Sequence, residues 1–403
     1  MTDKEIMAKP NSIELFTGAG GLALATHMAG FHHQNLYEWN DDACRTLQGN
    51  ASRAAIRGLT KWNGKIIEGD VRHADFSTHA GLVDLVAGGP PCQPFSLAGK
   101  HAGMEDERDM IPHFIRAVRE AQPKAFIMEN VKGLTRKSFA QYLDFSVLQL
   151  AYPEITRKRS ESWEKHLARL HQHHTSSPRQ SGLSYNVTQK VLNAADFGVP
   201  QSRERIFIVG FRSDVDANWE FPESTHSQEA LQYEQWVSKT YWERVGVKAP
   251  NAPALAANRE RWISHARQGK SPWRTIREAV ADLPAPFKSK DNDGRVFNHR
   301  FQDGARPYVG HTGSPYDLPS ETLKAGGHGV PGGENMIAFP SGEYRYLTIR
   351  EAARVQTFPD NWHFKGAWSE AMRQLGNAVP VELAKVVAKA VAAKLVKSER
   401  KVH

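Results

Sequence analysis

Cysteine is nearly absent from this chain, which has only Cys44 and Cys92 among 403 residues. This scarcity excludes a disulfide-stabilised fold and a metal site built from thiolates. Long apolar runs are also missing, so the sequence predicts no membrane-spanning helix. No apolar stretch precedes the first glycine-rich segment, and we therefore expect no signal peptide and a cytoplasmic protein.

Acidic residues are outnumbered by basic ones, with 44 Asp and Glu against 52 Lys and Arg and a formal net charge of +8. The excess of positive charge indicates a polyanionic partner such as nucleic acid, although a basic enzyme without such a partner has the same composition. The hydrophobic share of 40% is typical of a soluble globular protein. The length allows one large domain or two ordinary ones.

Short apolar runs alternate with amphipathic runs along the first half of the chain. This alternation predicts an α/β fold with a doubly wound, mostly parallel, Rossmann-like sheet. Ligands of such sheets bind beyond the carboxyl ends of the strands. The strand candidates are residues 13–16, 35–38, 83–87, 125–128 and 205–211, and the residues of unusual type that fall near their ends are Gly18, Glu38, Asp70, Cys92 and Glu129.

The regular alternation is interrupted twice, which predicts the domain organisation. Residues 155–182 are polar and basic, and we interpret them as a surface insertion in a first domain of residues 1–212. Residues 213–344 have an irregular pattern with scattered Trp and Pro and predict a smaller second domain. Regular helices return over residues 345–403, where Thr348 and Glu351 form a capping box ahead of a short helix.

The stretch "FTGAGGLA" (16–23) follows a predicted strand and opens a predicted helix. It fits the pattern G-x-G-x-x-G/A, and Glu38 stands where an acidic residue holds a ribose hydroxyl. This pattern suits NAD, FAD or S-adenosylmethionine, and a glycine turn without a ligand has it too. Trp39 adds a surface for stacking on adenine, and Asp70 adds an acceptor for its amino group. The order of these residues favours an adenosyl cofactor.

The stretch "AGGPPCQPFSLAGK" (87–100) places Cys92 on a loop stiffened by Pro90, Pro91 and Pro94. Proline fixes φ, so such a loop loses less entropy when it presents a side chain. We interpret Cys92 as a nucleophile. The alternative, a small buried apolar residue, is our interpretation of Cys44, which lies in a predicted helix.

A cysteine nucleophile needs an acid–base partner, and Glu129 ends an apolar strand in "FIMENVKGL". Arg203 and Arg205 in "PQSRERIFIVG" fall on one face of a predicted strand, because side chains alternate along it. Two buried arginines are costly unless they meet an anion or an acceptor. Ion pairing with Glu129 for purely structural reasons is the alternative to a role in catalysis.

In this order the motifs resemble those of the C5-cytosine DNA methyltransferases, and the resemblance spans nearly the whole chain outside residues 155–182 and 213–344. The motifs are "ELFTGAGG" (14–21), "YEWN" (37–40), "EGDV" (68–71), "GGPPCQPFS" (88–96), "DERDMI" (106–111), "MENVKG" (128–133), "VLNAADFGVPQSRERIFIVGF" (191–211), "RYLTIREAARVQTFP" (345–359) and "QLGNAVP" (374–380). The cysteine loop followed by the glutamate and QSRER motifs is the most specific part.

The resemblance implies a role for each catalytic candidate. Cys92 would attack C6 of cytosine as a thiolate, while Glu129 would hold the base at N3 and favour its protonation. Arg205 would contact the cytosine O2, and Arg203 would support the site. Because a duplex hides C6, the target base would be flipped into the pocket.

The resemblance also implies a cofactor, partners and further contacts. S-adenosylmethionine would be the methyl donor and double-stranded DNA the substrate, with no metal and no membrane. A monomer is expected, with a cognate restriction endonuclease as a functional rather than a physical partner. Cofactor contacts would be Phe16, Gly18, Gly20, Glu38, Trp39, Asp70, Val71 and Ile111, with Asn377 and Val379 from the far end of the chain. DNA contacts would be Gln93 and Ser96, and Thr322 and Leu323 in a target-recognition domain of residues 213–344.

Three rival functions remain open. A tRNA cytosine methyltransferase of the same fold has a small recognition region, whereas residues 213–344 are extensive here. A nicotinamide oxidoreductase explains Gly18 and Gly20 but leaves Cys92, Glu129 and Arg205 without a role. A DNA-binding regulator that has lost catalysis is disfavoured because every candidate catalytic residue is present.

Overall fold

The computed structural model describes residues 9–91, 108–176, 182–215, 218–251, 259–266, 269–288, 296–309, 312–325 and 335–401. Cys92, Gln93 and Ser96 lie outside these residues.

A seven-stranded sheet forms the centre of the molecule, in the order β3-β2-β1-β4-β5-β7-β6. The first five strands run parallel, and β7 is antiparallel to both of its neighbours. The prediction of a doubly wound, mostly parallel α/β fold is therefore confirmed. The strands are β1 (Asn11–Leu15), β2 (His32–Glu38), β3 (Ile66–Glu68), β4 (Leu85–Gly88), β5 (Ala125–Val131), β6 (Tyr185–Asn193) and β7 (Glu204–Arg212).

Helices cover both faces of this sheet, which explains why the central strands are continuous apolar runs instead of alternating ones. All four residues of β4 and the first six of β5 are buried. The helices of this part are α1 (Gly21–Met28), α2 (Asp41–Ser52), α3 (Ile111–Ala121), α4 (Ala140–Ala151) and α5 (Trp163–Ser176). Helix α3 ends just before Pro123, with Gln122 in a left-handed conformation at its C-terminus.

The insertion at 155–182 forms α5, which packs on α4. Leu170 is fully buried there beside Phe145, Leu148 and Tyr152. The strand that follows begins at Tyr185, which pairs with Arg212, while the neighbouring Phe211 pairs with Ala125 at the start of β5. The end of the insertion therefore lies at the edge opposite the carboxyl ends of the parallel strands. Among the described residues, no group of His, Cys, Asp or Glu side chains is arranged to hold a metal ion.

Residues 213–344 form short elements around small sheets, apart from the central one. These are β8 (His226–Ser227), α6 (Gln228–Trp236), α7 (Thr240–Arg244), α8 (Arg259–Ala266), β9 (Ser271–Pro272), α9 (Ile276–Val280), β10 (Ser314–Pro315) and β11 (Met336–Ala338). Strand β12 (Tyr344–Tyr346) pairs antiparallel with β11 across the predicted boundary. Leu323 and Ile337 belong to the same hydrophobic cluster as Leu24 of α1, so this region shares a core with the sheet domain.

The C-terminal segment contains α10 (Ile349–Val355), α11 (Trp368–Asn377) and α12 (Val381–Lys401). The predicted capping box is present, with Thr348 and Glu351 each bonding the backbone of the other. Helix α12 packs along α1, which returns the end of the chain to the first glycine loop. In the part of the chain that the structure describes, no helix is both long and apolar enough to cross a membrane.

Candidate active site

The glycine loop between β1 and α1 adopts backbone conformations that require its sequence. Gly18 and Gly20 have φ of +55° and +94°, and Phe16 has φ of +57°, which is strained for a residue with a side chain. A Cβ built on Gly18 meets no described atom within 4 Å, so the loop leaves open space beside its backbone. An open cradle of this kind at the end of β1 fits a ligand that approaches the backbone closely.

Glu38 lies at the carboxyl end of β2 and joins the glycine loop to its own loop. One carboxylate oxygen accepts the Gly18 N–H at 2.6 Å, and the other accepts the N–H groups of Trp39 and Asn40 at 3.0 and 2.8 Å. Burial raises the pKa of Glu38, and the three backbone donors offset part of this increase. This carboxylate therefore shapes the cradle before any ligand contacts it.

The remaining cofactor candidates differ in how accessible they are. Trp39 is 72% exposed beside Glu38, and its ring is free to stack on a ligand. The Asp70 carboxylate accepts hydrogen bonds from the Arg72 backbone N–H at 2.9 Å and from the Arg72 guanidinium. These bonds lower the pKa of the Asp70 carboxyl. Val71 and Ile111 are buried, so they belong to the walls of the site and are not exposed side chains.

Asn377 and Val379 come to this site because the C-terminal segment packs on the glycine loop. A Cβ built on Gly21 would lie 2.5 Å from the Val379 backbone oxygen, a distance that only glycine tolerates. Val379 is buried in this contact, while Asn377 is exposed. The open Gly18 backbone, the free Trp39 ring and the Glu38 carboxylate together fit an adenosyl cofactor.

A buried ion pair joins Glu129, near the carboxyl end of β5, to Arg205, at the start of β7. Arg205 Nε donates to Glu129 Oε1 at 2.9 Å, and the two side chains are 11% and 8% exposed. Burial raises the pKa of Glu129, while Arg205 and then Arg203 lower it and offset part of the effect. A carboxyl with a raised pKa is protonated at neutral pH to a greater extent than an ordinary one, so it is better placed to act as a general acid.

The residues that precede Cys92 are fixed beside this pair. A Cβ built on Gly89 would lie 3.0 Å from Glu129 Oε2. Asn130 Nδ2 donates to the Pro90 carbonyl at 3.0 Å, and the Met110 N–H donates to the Pro91 carbonyl at 3.1 Å. The backbone of Gly89, Pro90 and Pro91, which precede Cys92 in the chain, is therefore anchored next to Glu129.

The alternating pattern predicts Arg203 on the same strand as Arg205. In the structure β7 begins at Glu204, so Arg203 lies just before the strand. Its guanidinium is fully buried and donates to the Leu323 carbonyl at 2.9 Å and to the Gly376 carbonyl at 2.6 Å. Burial lowers the pKa of Arg203, and Arg205 adds to this effect. Arg203 therefore ties the sheet domain to residues 213–344 and to the C-terminal segment.

Residues 320–323 run alongside residues 200–203 in this contact. Thr322 Oγ1 donates to the Ser202 carbonyl at 2.9 Å, and the Leu323 N–H donates to Gln201 Oε1 at 3.0 Å. The Leu323 side chain is 1% exposed, so it is not presented to a duplex as we expected. Its apolar character is explained by packing in the core.

Gly376 allows the closest backbone approach in this interface. A Cβ built there would lie 2.3 Å from Ala325 N and 2.5 Å from the Lys324 carbonyl carbon. Because these are backbone atoms, a rotamer change cannot relieve the clash. No local pattern in the sequence indicates this contact. Asn130 was not singled out in the sequence either, although a polar residue in an apolar strand is a signal that identifies it.

Gly376→Ala is expected to destabilise the protein by about 1–3 kcal/mol, because it forces α11 and residues 322–325 apart. Chemical denaturation monitored by circular dichroism measures this loss. The matched control is Gly49→Ala in α2, where an added Cβ meets only the flexible end of Lys365 at 3.3 Å. That substitution is expected to stabilise the chain by about 0.5–1 kcal/mol, since it removes a helical glycine. Equal stability of the Gly376 variant and the wild type would contradict the proposed contact.

Cys44 lies in α2 and is fully buried, as predicted. Burial raises the pKa of its thiol to about 12, with a further contribution from Glu38. The thiol is therefore protonated at neutral pH and unsuited to nucleophilic attack.

Comparisons with known proteins agree with this geometry. A family model for C-5 cytosine-specific DNA methylase matches residues 11–151 and 164–393. The chain is 32% identical over 381 residues to Type II methyltransferase M.PspPI of Psychrobacter sp. (strain TA137), covering 94% of this chain and 78% of that protein. It is also 32% identical over 387 residues to Type II methyltransferase M.Eco47II of Escherichia coli, with 94% and 78% covered.

Among solved structures, S. pombe Dnmt2 methyltransferase aligns with a TM-score of 0.52 over 96% of this chain and 99% of that one. At 15% sequence identity this likeness establishes the shared fold. The family match extends further, because it includes the glycine loop, the Glu129 strand and the QSRER segment. The chain thus belongs to the C-5 cytosine-specific DNA methylase family and is a sequence-specific DNA cytosine-5 methyltransferase that uses S-adenosylmethionine.

Proposed function

We propose that the enzyme flips its target cytosine into the space beside Glu129 and activates it by covalent attack from Cys92. The observation that carries this proposal is the buried Glu129–Arg205 pair next to the anchored Gly89–Pro91 backbone. A charged pair in this position provides a donor and an acceptor for a polar base edge. A duplex hides that edge, so the base must leave the stack to reach it.

The Cys92 thiolate forms a bond to C6, and the electron pair of the C5–C6 double bond moves toward C5. Protonation at N3 by Glu129 favours this attack because it withdraws electron density from the ring. Arg205 holds the carboxyl of Glu129 and lies within reach of the cytosine O2. S-adenosylmethionine, when bound, supplies the methyl group that C5 takes up. Loss of the C5 proton to solvent then restores the C5–C6 double bond and releases the Cys92 thiolate, and the N3 proton returns to Glu129.

The cofactor is held by residues of the first domain and the C-terminal segment. Glu38 takes the ribose hydroxyls, Trp39 stacks on adenine, and the Gly18 backbone approaches the ligand closely. Further contacts come from Phe16, Gly20, Asp70, Val71, Ile111, Asn377 and Val379. Arg203 acts on the site indirectly, through the backbones of Leu323 and Gly376.

Residues 213–344 act as the target-recognition domain. Gln93 and Ser96, on the loop that carries Cys92, contact DNA near the target base. Thr322 and Leu323 align this domain with the QSRER segment, which fits their bonds to Ser202 and Gln201. The enzyme acts as a cytoplasmic monomer, and its relatives' Type II names favour a cognate restriction endonuclease that works on the same DNA sequence.

Bisulfite sequencing of DNA from cells that express the protein tests this function. We expect 5-methylcytosine within one short sequence context, and none from cells that express Cys92→Ala. Purified protein incubated with duplex DNA, tRNA and labelled S-adenosylmethionine provides the second measurement. Methyl transfer to tRNA but not to duplex DNA would overturn the proposal.

A further inference from the structure

A cavity lies away from the active site, where α1 ends and β2 begins. Its volume is about 500 Å³. The glycine loop is at the other end of α1, which spans about 12 Å at 1.5 Å per residue. We call this cavity the distal pocket, and its lining comprises Lys9, His27, Phe31, His32, Arg57, Gly58, Lys61 and Trp62.

Basic side chains dominate the distal pocket, and the described residues that line it include no Asp or Glu. Lys9, Arg57 and Lys61 are exposed at its rim, while the rings of Phe31 and Trp62 are buried. Burial lowers the pKa of His32, and Lys65 and Lys61 lower it further. Among the described residues no carboxylate contributes to this effect, so the charges that act on the His32 ring are positive.

Hydrogen bonds fix the two histidines in place. Gly58 has φ of +91°, and this turn presents the Arg57 carbonyl to His27 Nε2 at 3.1 Å. His32 Nε2 accepts from Lys65 Nζ at 3.0 Å, and Lys65 also donates to a backbone carbonyl of β2 at 2.9 Å. Because Nε2 of His32 is an acceptor, its ring proton is on Nδ1. The two histidines of the pocket are thus held in fixed positions, and Lys9, Arg57 and Lys61 stand at its rim.

We propose that the distal pocket binds a small polyphosphorylated anion. Like charges gathered in one concavity repel one another unless an anion neutralises them. The volume is that of a small-molecule site, which fits an inorganic polyphosphate or the phosphate chain of a nucleotide. Arginine and lysine at the rim supply charge-assisted hydrogen bonds to phosphate oxygens. This site is separate from the methylation site and does not depend on the function proposed above.

Isothermal titration of the full chain with inorganic triphosphate tests the proposal. We expect one binding site on the wild type and affinity weaker by about tenfold or more in the double variant Arg57→Glu/Lys61→Glu, because each substitution removes a charged donor. The matched control is Lys158→Glu/Arg159→Glu, which reverses two exposed charges in the insertion and is expected to bind as the wild type does. Methylation activity checks that both variants are folded.

Histidine ring resonances in NMR spectra give a second, local measurement. Saturating triphosphate is expected to raise the pKa of His27 and His32, since a bound anion stabilises the imidazolium against Lys9, Arg57, Lys61 and Lys65. Sodium chloride at equal ionic strength is expected to have a smaller effect. The proposal would be overturned if triphosphate did not bind, or if both double variants weakened its binding equally. It would also be overturned if a short non-cognate duplex displaced triphosphate, because DNA would then be the ligand. Equal binding of triphosphate and ATP indicates that the phosphate chain alone is recognised.

Discussion

The variant Cys92→Ser is expected to lose methyl transfer by a factor on the order of a thousand or more, because removal of a nucleophile removes the step on which the others depend. A hydroxyl has the wrong acidity to attack C6 at neutral pH, whereas a thiolate forms readily. Affinity for S-adenosylmethionine is expected to stay unchanged, since the cradle at Gly18 and Glu38 is built without Cys92. Radiolabelled methyl transfer and equilibrium cofactor binding measure the two quantities separately.

The covalent step has a direct test with DNA that contains 5-fluorocytosine at the target position. Fluorine at C5 cannot leave as a proton does, so the wild-type chain is expected to form an adduct that survives denaturation. The variant Cys92→Ser is expected to form no adduct. The control variant Cys44→Ala, which removes the buried protonated thiol, is expected to form the adduct as the wild type does. An active enzyme without any adduct would refute the role of Cys92.

The variant Glu129→Gln is expected to lower the methylation rate by about 10²–10⁴-fold, the usual contribution of a positioned acid–base group. Glutamine keeps the size of the side chain but cannot donate a proton to N3 as a carboxyl does. It also leaves Arg205 without its anionic partner in a buried site. Single-turnover methylation of a duplex substrate measures the chemical step.

The pH dependence of this step has a definite sign. Only the protonated carboxyl donates to N3, so the wild-type rate is expected to fall as the pH rises through the pKa of Glu129, which burial raises. Glu129→Gln is expected to lack this decrease. The control Glu204→Gln changes the neighbouring carboxylate, which is 43% exposed and bonded to Lys132, and is expected to keep the wild-type profile. An identical profile for Glu129→Gln and the wild type would show that Glu129 is not the proton donor.

Features that depend on neighbours in the sequence were predictable. The glycine loop and the capping box at Thr348 both follow from short patterns, and the structure confirms them. The placement of Glu38 and Glu129 at one edge was predictable as well, because the carboxyl ends of parallel strands meet there.

Contacts between distant parts of the chain were not predictable in the same way. The partners of Arg203 lie 120 and 173 residues away, and no local pattern specifies a carbonyl as the acceptor of a guanidinium. Leu323 was expected to face DNA and is buried, because an apolar residue next to a threonine is equally suited to a core position. Gly376 has an ordinary φ, so only the facing backbone explains why it has no side chain.

The Arg203 contact has a consequence for the order in which the enzyme matures during synthesis. The ribosome delivers Cys92, Glu129 and Arg203 first, and Gly376, whose carbonyl accepts from Arg203, follows 173 residues after Arg203. Contacts of such long sequence separation form late in folding, since a large loop must close first. A nascent chain therefore carries Cys92 and Glu129 before this contact is able to form. Arg203 gains both of its carbonyl partners only when α11 has docked.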